Sequence, residues 1–416
     1  MSLEYLEIEG GNPLCGEVRI QGSKNAALPI LSAALLNPGR TVLRNCPRIT
    51  DVEIMLEILE SFGCRAAWEQ DVLILDTSDL HSSQVSEKSG KKMRSSIVLL
   101  GSLLGRTGNA FVPYPGGCVI GKRPVDIHLS ILRQMGAELE EAEEGLWAVC
   151  PHPRGTVLSL PFPSVGATEN GILLAALADG ITIVENAARE PEVEELCRFL
   201  NSMGARIQGA GTSRIVIAGV KKLHDTEFTI VSDRIVAGTY MLMAAAAGGK
   251  ILLENPPLHH LESVRKVLTH MGVRYEQKEE RMLIWSPGRI RGIEQIKTAP
   301  YPGFPTDLQS PLMAALTLAE GESRIEETIF EARFKIVEEL KRMGAEIETE
   351  GRMARIRGVK ALHGAEVVAA ELRGGAALVA AAAAAKGKSR IYQCSYIERG
   401  YENIIRDLQA LGVVVH

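Results

Sequence analysis

The sequence predicts an α/β fold built from six repeats of about 70 residues. One observation is a phrase that recurs at the ends of predicted helices: "ESFGCRA", "RQMGAEL", "NSMGARI", "THMGVRY", "KRMGAEI" and "QALGVVV". A second is its regularity, because the glycines of these phrases are 68 to 73 residues apart: Gly63, Gly136, Gly204, Gly272, Gly344 and Gly412. Such constant spacing indicates a repeat architecture, in which each repeat is one supersecondary unit.

Each repeat shows the same order of elements. A strand opens after a turn glycine, as in "GRTVLRN" or "GKILLEN", and an amphipathic helix such as "EVEELCRFLNSMG" follows. The glycine that ends this helix tolerates the left-handed conformation found at many helix C-termini. Two short strands complete the repeat, the second of them in segments such as "SRIVIAG" and "RMLIWSP". Strands that alternate with helices are typical of the α/β class.

Each repeat also contains a second helix, which is rich in small apolar residues and is therefore expected to be buried. These helices begin with polar or charged residues: Lys24 and Asn25, Arg94, Thr168 and Asn170, Asp233 and Arg234, Asp307, and Arg373. Helix N-termini carry partial positive charge and free N–H groups, so their convergence predicts an anion-binding region. For Thr168 and Asp307, ordinary helix capping explains the residue equally well.

Composition excludes several classes of function. A net charge of −5 and an aromatic content of 5% favour neither a nucleic-acid surface nor a base-stacking platform. The acidic N-terminus has no secretory pattern, and the longest apolar run, 376–385, is too short to cross a bilayer. Seven cysteines without C-x-x-C spacing argue against a disulfide framework and a zinc site. We expect a cytoplasmic protein with no metal, cofactor, nucleic-acid or membrane partner.

The loop "PYPGGCVIGKRP", 113–124, breaks the repeat. From turn glycine to helix-end glycine the second copy has 28 residues, whereas the others have 23 to 25. The insertion places Cys118 among glycines and close to Lys122 and Arg123, which favour the reactive thiolate. A phosphate-binding loop is a weaker interpretation of "GGCVIGK", because Arg123 replaces the magnesium-binding Ser or Thr and Pro124 opposes a helix start.

The chain resembles the enolpyruvyl transferase family along its whole length. The motifs that carry the resemblance are "GSKNAALP" (22–29), "MRSSI" (93–97), "PGGCVIGKRPVDIHL" (115–129), "SVGAT" (164–168), "ENAAREPE" (185–192), "FPTDLQ" (304–309), "FEARF" (330–334) and "ERGYE" (398–402). The resemblance implies a two-lobed, inside-out α/β barrel with three repeats in each lobe and a cleft between the lobes. The first lobe would be 24–231, with the Cys118 loop, and the second would combine 1–23 with 232–416.

The implied reaction transfers the enolpyruvyl group of phosphoenolpyruvate to the 3-hydroxyl of UDP-N-acetylglucosamine and releases phosphate, the first committed step of peptidoglycan synthesis. By resemblance, Cys118 is the proton donor and Asp307 is the base or orienting group for the hydroxyl. Lys24 and Arg399 complete the implied catalytic set. The implied substrate-binding residues are Lys24, Asn25, Arg94, Arg123, Pro124, Val125, Asp126, Ile127, Ser164, Val165, Gly166, Asp307, Ile329, Arg333, Arg373 and Arg399.

Three positions depart from the family pattern. Glu371 replaces an aspartate, Phe162 stands where a lysine is expected, and Val236 stands where an acidic residue is common; these changes affect affinity more than reaction type. Two other functions stay open. The shikimate-pathway enolpyruvyl transferase lacks a cysteine like Cys118, and a non-catalytic regulatory relative would be expected to lack Cys118 or Asp307.

Overall fold

The computed structural model describes residues 4–114 and 125–416. These residues form two compact units. The terminal unit combines 4–21 with 232–416, and the central unit combines 22–114 with 125–231. The chain therefore leaves the terminal unit after Gln21 and returns to it after Val231. Three residues of the implied site, Cys118, Arg123 and Pro124, lie outside the described residues.

Short strands alternate with helices along the chain. The strands are β1 (Tyr5–Gly10), β2 (Leu14–Arg19), β3 (Arg40–Arg44), β4 (Arg65–Glu69), β5 (Val72–Asp76), β6 (Asn109–Pro113), β7 (Glu138–Glu141), β8 (Gly145–Val149), β9 (Val157–Ser159), β10 (Ile181–Glu185), β11 (Arg206–Gln208), β12 (Arg214–Ala218), β13 (Thr226–Thr229), β14 (Gly249–Glu254), β15 (Arg274–Lys278), β16 (Arg281–Ser286), β17 (Ile296–Lys297), β18 (Glu322–Glu326), β19 (Glu346–Glu350), β20 (Met353–Arg357), β21 (Glu366–Val368), β22 (Gly387–Tyr392) and β23 (Val414–Val415).

The helices are α1 (Lys24–Ala34), α2 (Thr50–Ser61), α3 (Glu87–Lys92), α4 (Leu99–Thr107), α5 (Asp126–Gln134), α6 (Val165–Ala175), α7 (Pro191–Ser202), α8 (Arg234–Ala247), α9 (Glu262–His270), α10 (Gln309–Leu316), α11 (Val337–Arg342), α12 (Leu372–Ala384), α13 (Ser395–Glu398) and α14 (Ile404–Ala410). Short 3₁₀ turns cover Arg94–Val98, Leu258–His260, Thr306–Leu308 and Arg333–Ile336. Two of these turns, at Arg94 and Thr306, lead directly into the apolar helices α4 and α10.

The sheets of the described residues repeat one topology, which confirms the predicted repeats. Each unit contains three sheets. Five of these sheets have four strands: an edge strand, a second strand parallel to it, and two further strands that each run antiparallel to the one before, as in β9-β10-β12-β11. In the sheet β6-β8-β7 the parallel position is taken by a single bridge between Gln84 and Phe111.

The last repeat is completed by the first described strand. In the sheet β21-β22-β1-β23, β1 occupies the position that a hairpin strand has elsewhere, paired antiparallel with both β22 and β23. The N-terminal segment therefore belongs to the sixth repeat. Sequence periodicity did not predict this pairing, because it joins residues nearly 400 positions apart.

The apolar helices form the interior of each unit. In the terminal unit α8, α10 and α12 pack against one another, and in the central unit α4 packs against α1 and α6. Almost every residue of these six helices is buried, as predicted. The six helix-end glycines all have positive φ, between 81° and 102°, which confirms their predicted capping role.

Candidate active site

The described members of the implied site fall into two sets, one in each unit. Asp307, Ile329, Arg333, Arg373 and Arg399 belong to the terminal unit. Lys24, Asn25, Arg94, the segment 125–127 and the segment 164–166 belong to the central unit.

Asp307 is the centre of the terminal set. Its Oδ1 accepts a hydrogen bond from Arg333 Nη2 at 2.8 Å. Its Oδ2 accepts from Arg373 Nε and Nη2 at 3.2 and 3.0 Å. Both arginine side chains are almost fully buried, whereas the Asp307 side chain is 27% exposed. Asp307 is thus held by two cations.

Each of the two arginines has one buried nitrogen donor that Asp307 does not use. Within the described residues, Arg333 Nε and Arg373 Nη1 are buried and have no hydrogen-bond partner. Burial opposes the positive charge of Arg373, but its surroundings, led by Asp307, raise its pKa above the ordinary value. Buried cationic donors without partners are costly, so this pair is suited to an anionic ligand.

Glu327 links the backbone of Ile329 to the 3₁₀ turn that contains Asp307. Its buried carboxylate accepts hydrogen bonds from the backbone N–H groups of Ile329 and Phe330 at 2.8 and 3.1 Å. Its other oxygen accepts from the Thr306 hydroxyl at 2.9 Å, beside Asp307. Sequence reasoning did not identify Glu327, since a single glutamate after a strand has no distinguishing pattern.

Glu371 acts as a helix cap. Its side chain accepts hydrogen bonds from the backbone N–H groups of Arg373, at 2.8 Å, and Gly374. Asp233 caps α8 in the same way through the N–H groups of Ile235 and Val236. The longer side chain at 371 therefore still serves the first turn of α12, the turn that carries Arg373.

Arg399 follows α13 and is half-buried. Two residues later, Tyr401 is buried and its hydroxyl interacts with the guanidinium of Arg373. Arg399 thus lies in a segment that contacts the Asp307 cluster. Sequence analysis named Arg399 but not Tyr401, although both belong to the motif "ERGYE".

In the central unit, Lys24 is the first residue of α1 and pairs with Asp51 of α2, with 2.6 Å between Nζ and Oδ2. The Asp51 side chain is 1% exposed and that of Lys24 is 12% exposed. The protein therefore supplies a carboxylate for this cation, as Asp307 does for Arg373. A cation in the first turn of α1 or α12 therefore does not by itself indicate a bound anion.

Arg94 and the start of α6 meet at His128, a residue that sequence analysis did not single out. Asn170 fixes the imidazole: its Oδ1 accepts from Gly101 N at 2.7 Å, and its Nδ2 donates to Ile97 O at 3.0 Å and to His128 Nδ1 at 2.8 Å. Because Nδ1 is an acceptor, the proton of neutral His128 resides on Nε2. Burial, assisted by the charge of Arg94, lowers the pKa of His128 to about 4.

The remaining central positions flank His128 on two sides. Val125, Asp126 and Ile127 immediately precede it on the chain, and Ser164 caps α6 through a hydrogen bond from Ala167 N. A side chain at Gly166 would collide with the imidazole, since a Cβ there would lie 2.9 Å from Cε1. The segments 125–127 and 164–166 and Arg94 therefore all lie near the imidazole of His128.

Three further positions named from the sequence belong to the central unit. Asn25 is half-buried in the first turn of α1. Phe162, where the family pattern has lysine, is 45% exposed. Thr168 is fully buried, and its hydroxyl donates to Ser164 O and accepts from Ala188 N. The capping interpretation is therefore wrong for Thr168, because Ser164 is the N-cap of α6.

The cysteines of the described residues are free thiols. Five are buried: Cys46, Cys64, Cys150, Cys197 and Cys394. Cys15, in contrast, is exposed. Burial raises the pKa of Cys64 and of Cys197 to about 12, so neither thiol is reactive near neutral pH.

Over the described ranges, no group of three His, Cys, Asp or Glu residues has the arrangement needed to hold a metal ion. In the same ranges, no helix has the length and apolarity required to traverse a bilayer. The sites described above contain carboxylates, guanidiniums, an ammonium and the imidazole of His128. Such groups bind anions and move protons.

Similarity to known proteins identifies the family of this chain. Residues 8–408 match the family model described as EPSP synthase (3-phosphoshikimate 1-carboxyvinyltransferase). The chain belongs to this enolpyruvyl transferase family.

Within the family, its curated relatives include UDP-N-acetylglucosamine 1-carboxyvinyltransferase 2 of Caldanaerobacter subterraneus subsp. tengcongensis, which is 48% identical over 98% of this chain and 97% of that protein. The enzyme of the same name from Carboxydothermus hydrogenoformans is 45% identical over 99% of both chains.

Solved structures share the fold. The enolpyruvyl transferase NikO of Streptomyces tendae matches with a TM-score of 0.89 at 24% identity, over 99% of this chain and 98% of that one. An EPSP synthase of Acinetobacter baumannii matches with a TM-score of 0.74 at 19% identity over the full length of both. At these identities the likeness concerns the α/β fold alone.

Proposed function

We propose that this chain transfers the enolpyruvyl group of phosphoenolpyruvate to the 3-hydroxyl of UDP-N-acetylglucosamine and releases phosphate. The observation that carries the proposal is the full-length identity of 43–48% to enzymes named for this reaction. The cluster of Asp307, Arg333 and Arg373 supports it, because a partly exposed carboxylate between two buried cations suits a hydroxyl acceptor beside an anionic donor.

The reaction is an addition followed by an elimination. In the addition, the sugar hydroxyl loses its proton towards Asp307 and its oxygen bonds to C2 of phosphoenolpyruvate. The methylene carbon takes a proton, and Cys118 is our proposed donor. In the elimination, the C2–O bond to phosphate breaks and the new methyl group gives up a proton, which restores the double bond.

The cations have separate roles in this proposal. Lys24, Arg94, Arg123 and Arg399 hold the phosphate and carboxylate groups of the two polyanionic substrates. Arg333 and Arg373 fix Asp307 and offer their remaining buried donors to the same anions. The UDP-sugar is held by Asn25, by 123–127, by 164–166 and by Ile329.

We also propose the finer architecture that the family resemblance implies: two inside-out α/β barrels, one formed by 24–231 and the other by 1–23 with 232–416. Three buried helices and three sheets in each unit are consistent with it. A cytoplasmic location is proposed as well, since the cysteines of the described residues are unpaired, as in reducing compartments.

The test is phosphate release from phosphoenolpyruvate in the presence of two acceptors. Release with UDP-N-acetylglucosamine, and none with shikimate 3-phosphate, is the expected result. Cys118→Ala should abolish the release while leaving the fold intact by circular dichroism. Release with shikimate 3-phosphate alone would assign the chain to the reaction named in its family model.

A further inference from the structure

Tyr401 lies at the junction of the Asp307 cluster and the segment that carries Arg399. Its side chain is 2% exposed, and its ring packs edge to face on Tyr240 with the centroids 6.5 Å apart. Its backbone N–H donates to Ile397 O at 3.1 Å. A buried phenol needs a partner for its hydroxyl, so the position of this group is strongly constrained.

The direction of the hydroxyl bonds follows from Thr239. The Thr239 hydroxyl donates to Ile235 O, one turn back in α8, at 2.8 Å. Its oxygen also lies 2.8 Å from Tyr401 Oη. Since the Thr239 proton is already used, Tyr401 must donate to Thr239. The lone pairs of Tyr401 are then the part of the hydroxyl that faces the Arg373 guanidinium.

The backbone on both sides of Tyr401 is fixed by Gln21. The Gln21 side-chain amide donates to Gly400 O at 3.2 Å and accepts from Glu402 N at 2.9 Å. Gln21 is itself 8% exposed. Residues 400–402 are thus held by a buried amide and by the phenol, which leaves little freedom for Arg399 one residue earlier.

We propose that Tyr401 is a positioning residue that couples Arg399 to Arg373, orienting both for the anionic groups of phosphoenolpyruvate. Through its lone pair it holds the Arg373 guanidinium in the plane that meets Asp307. Through its backbone it fixes the segment of Arg399. The inference rests on the proposed function, because that function makes these arginines substrate ligands.

The test compares two tyrosines. Tyr401→Phe removes only the hydroxyl, and Tyr240→Phe makes the same change at a neighbouring buried ring, whose hydroxyl donates to Asp407 at 2.7 Å. Tyr401→Phe loses the hydrogen bond to Thr239 and the contact with Arg373, and Tyr240→Phe loses a bond to the carboxylate of Asp407, so both variants should fall in melting temperature. Only Tyr401→Phe should raise the KM for phosphoenolpyruvate, about tenfold, with a smaller effect on the KM for the UDP-sugar.

Thr239 provides a second, independent variant. Thr239→Val removes the acceptor for the Tyr401 proton, which should turn the hydroxyl and raise the same KM, whereas Thr239→Ser should restore wild-type behaviour. An active Tyr401→Phe enzyme with unchanged KM, or an equal KM increase in Tyr240→Phe, would refute the positioning role.

Failure of the proposed function would be distinguishable. If the wild type forms no product, thermal shift with phosphoenolpyruvate alone still tests the coupling. Tyr401→Phe should then show a smaller ligand-induced shift than Tyr240→Phe. Equal shifts in the two variants would overturn the inference.

Discussion

At the scale of single residues, the greatest concentration of buried charge in the described site is at Asp307. Two guanidiniums that are almost fully buried share its carboxylate. Removing one partner of a buried ion pair leaves an uncompensated charge, which typically costs about 3–5 kcal/mol. The carboxylate that is the base or orienting group in the proposed function is therefore also expected to stabilise the fold.

Asp307→Ala should lower the free energy of unfolding by about 3 kcal/mol and reduce kcat far more than it raises the KM for the UDP-sugar. Urea denaturation and steady-state kinetics measure both effects. Asp307→Asn, which keeps one oxygen acceptor, should recover part of the stability but not kcat. A variant with normal kcat and a changed KM would make Asp307 a binding residue only.

His128 predicts a pH dependence of stability. Its pKa falls from an ordinary 6.5 to about 4 on folding, so between these values the unfolded chain binds more protons than the folded one. The contribution of His128 to the free energy of unfolding is fully present above pH 6.5 and is lost as the pH falls towards 4. The loss is about 2 kcal/mol between pH 7 and pH 5. The buried Glu169, whose pKa is raised, acts in the opposite sense.

The matched variant is His128→Gln, whose amide nitrogen can replace the Nε2 donor but does not titrate. The wild type should lose stability between pH 7 and pH 5 through His128, and the variant should not. The difference in unfolding free energy between the two proteins should therefore be smaller at pH 5 than at pH 7. Urea denaturation at both values measures it. Parallel pH profiles for the two proteins would mean that the imidazole is not held neutral by burial.

At the scale of elements, the first turn of α12 connects a helix cap to the site. Glu371 satisfies two backbone N–H groups there, and Arg373 projects from the same turn. Loss of an N-cap side chain costs about 1 kcal/mol.

Glu371→Ala should therefore lower the free energy of unfolding by about 1 kcal/mol. It should also leave Arg373 less well positioned, which raises the KM for phosphoenolpyruvate. Glu371→Asp, the residue of the family pattern and a strong capping residue, should keep or increase stability. Calorimetry and steady-state kinetics provide the readouts. An alanine variant as stable as wild type would show that the cap contributes nothing to this turn.

Prediction from sequence worked where the determinants are local. Helix-end glycines such as Gly204 need a positive φ, and the apolar helices are recognisable from composition, so the repeats could be found from their spacing. The pairing of β1 with β22 was missed because strand pairing between distant segments leaves no periodic trace. Asp307 was named from its motif, and its role stays a prediction. The geometry of its arginine partners, the hydrogen bonds of Glu327 and the Tyr401–Thr239 bond depend on tertiary contacts that a sequence pattern does not show.

At the scale of the whole molecule, two units of the same repeated design carry different chemistry. The central unit offers Arg94, a neutral imidazole at His128 and a helix start at 164–166. The terminal unit offers a carboxylate held by two buried arginines. In the proposed function, the central set binds the diphosphate sugar and the terminal set contains the group that accepts the hydroxyl proton.

The most direct measurement is the structure of the product. Wild-type protein is incubated with phosphoenolpyruvate and UDP-N-acetylglucosamine, and the nucleotide sugar is recovered for mass spectrometry and NMR. We expect a sugar that has gained one enolpyruvyl group, in ether linkage at the 3-oxygen, with one phosphate released for each. Recovery of unmodified UDP-N-acetylglucosamine from folded protein, or an enolpyruvyl group on another oxygen, would contradict it.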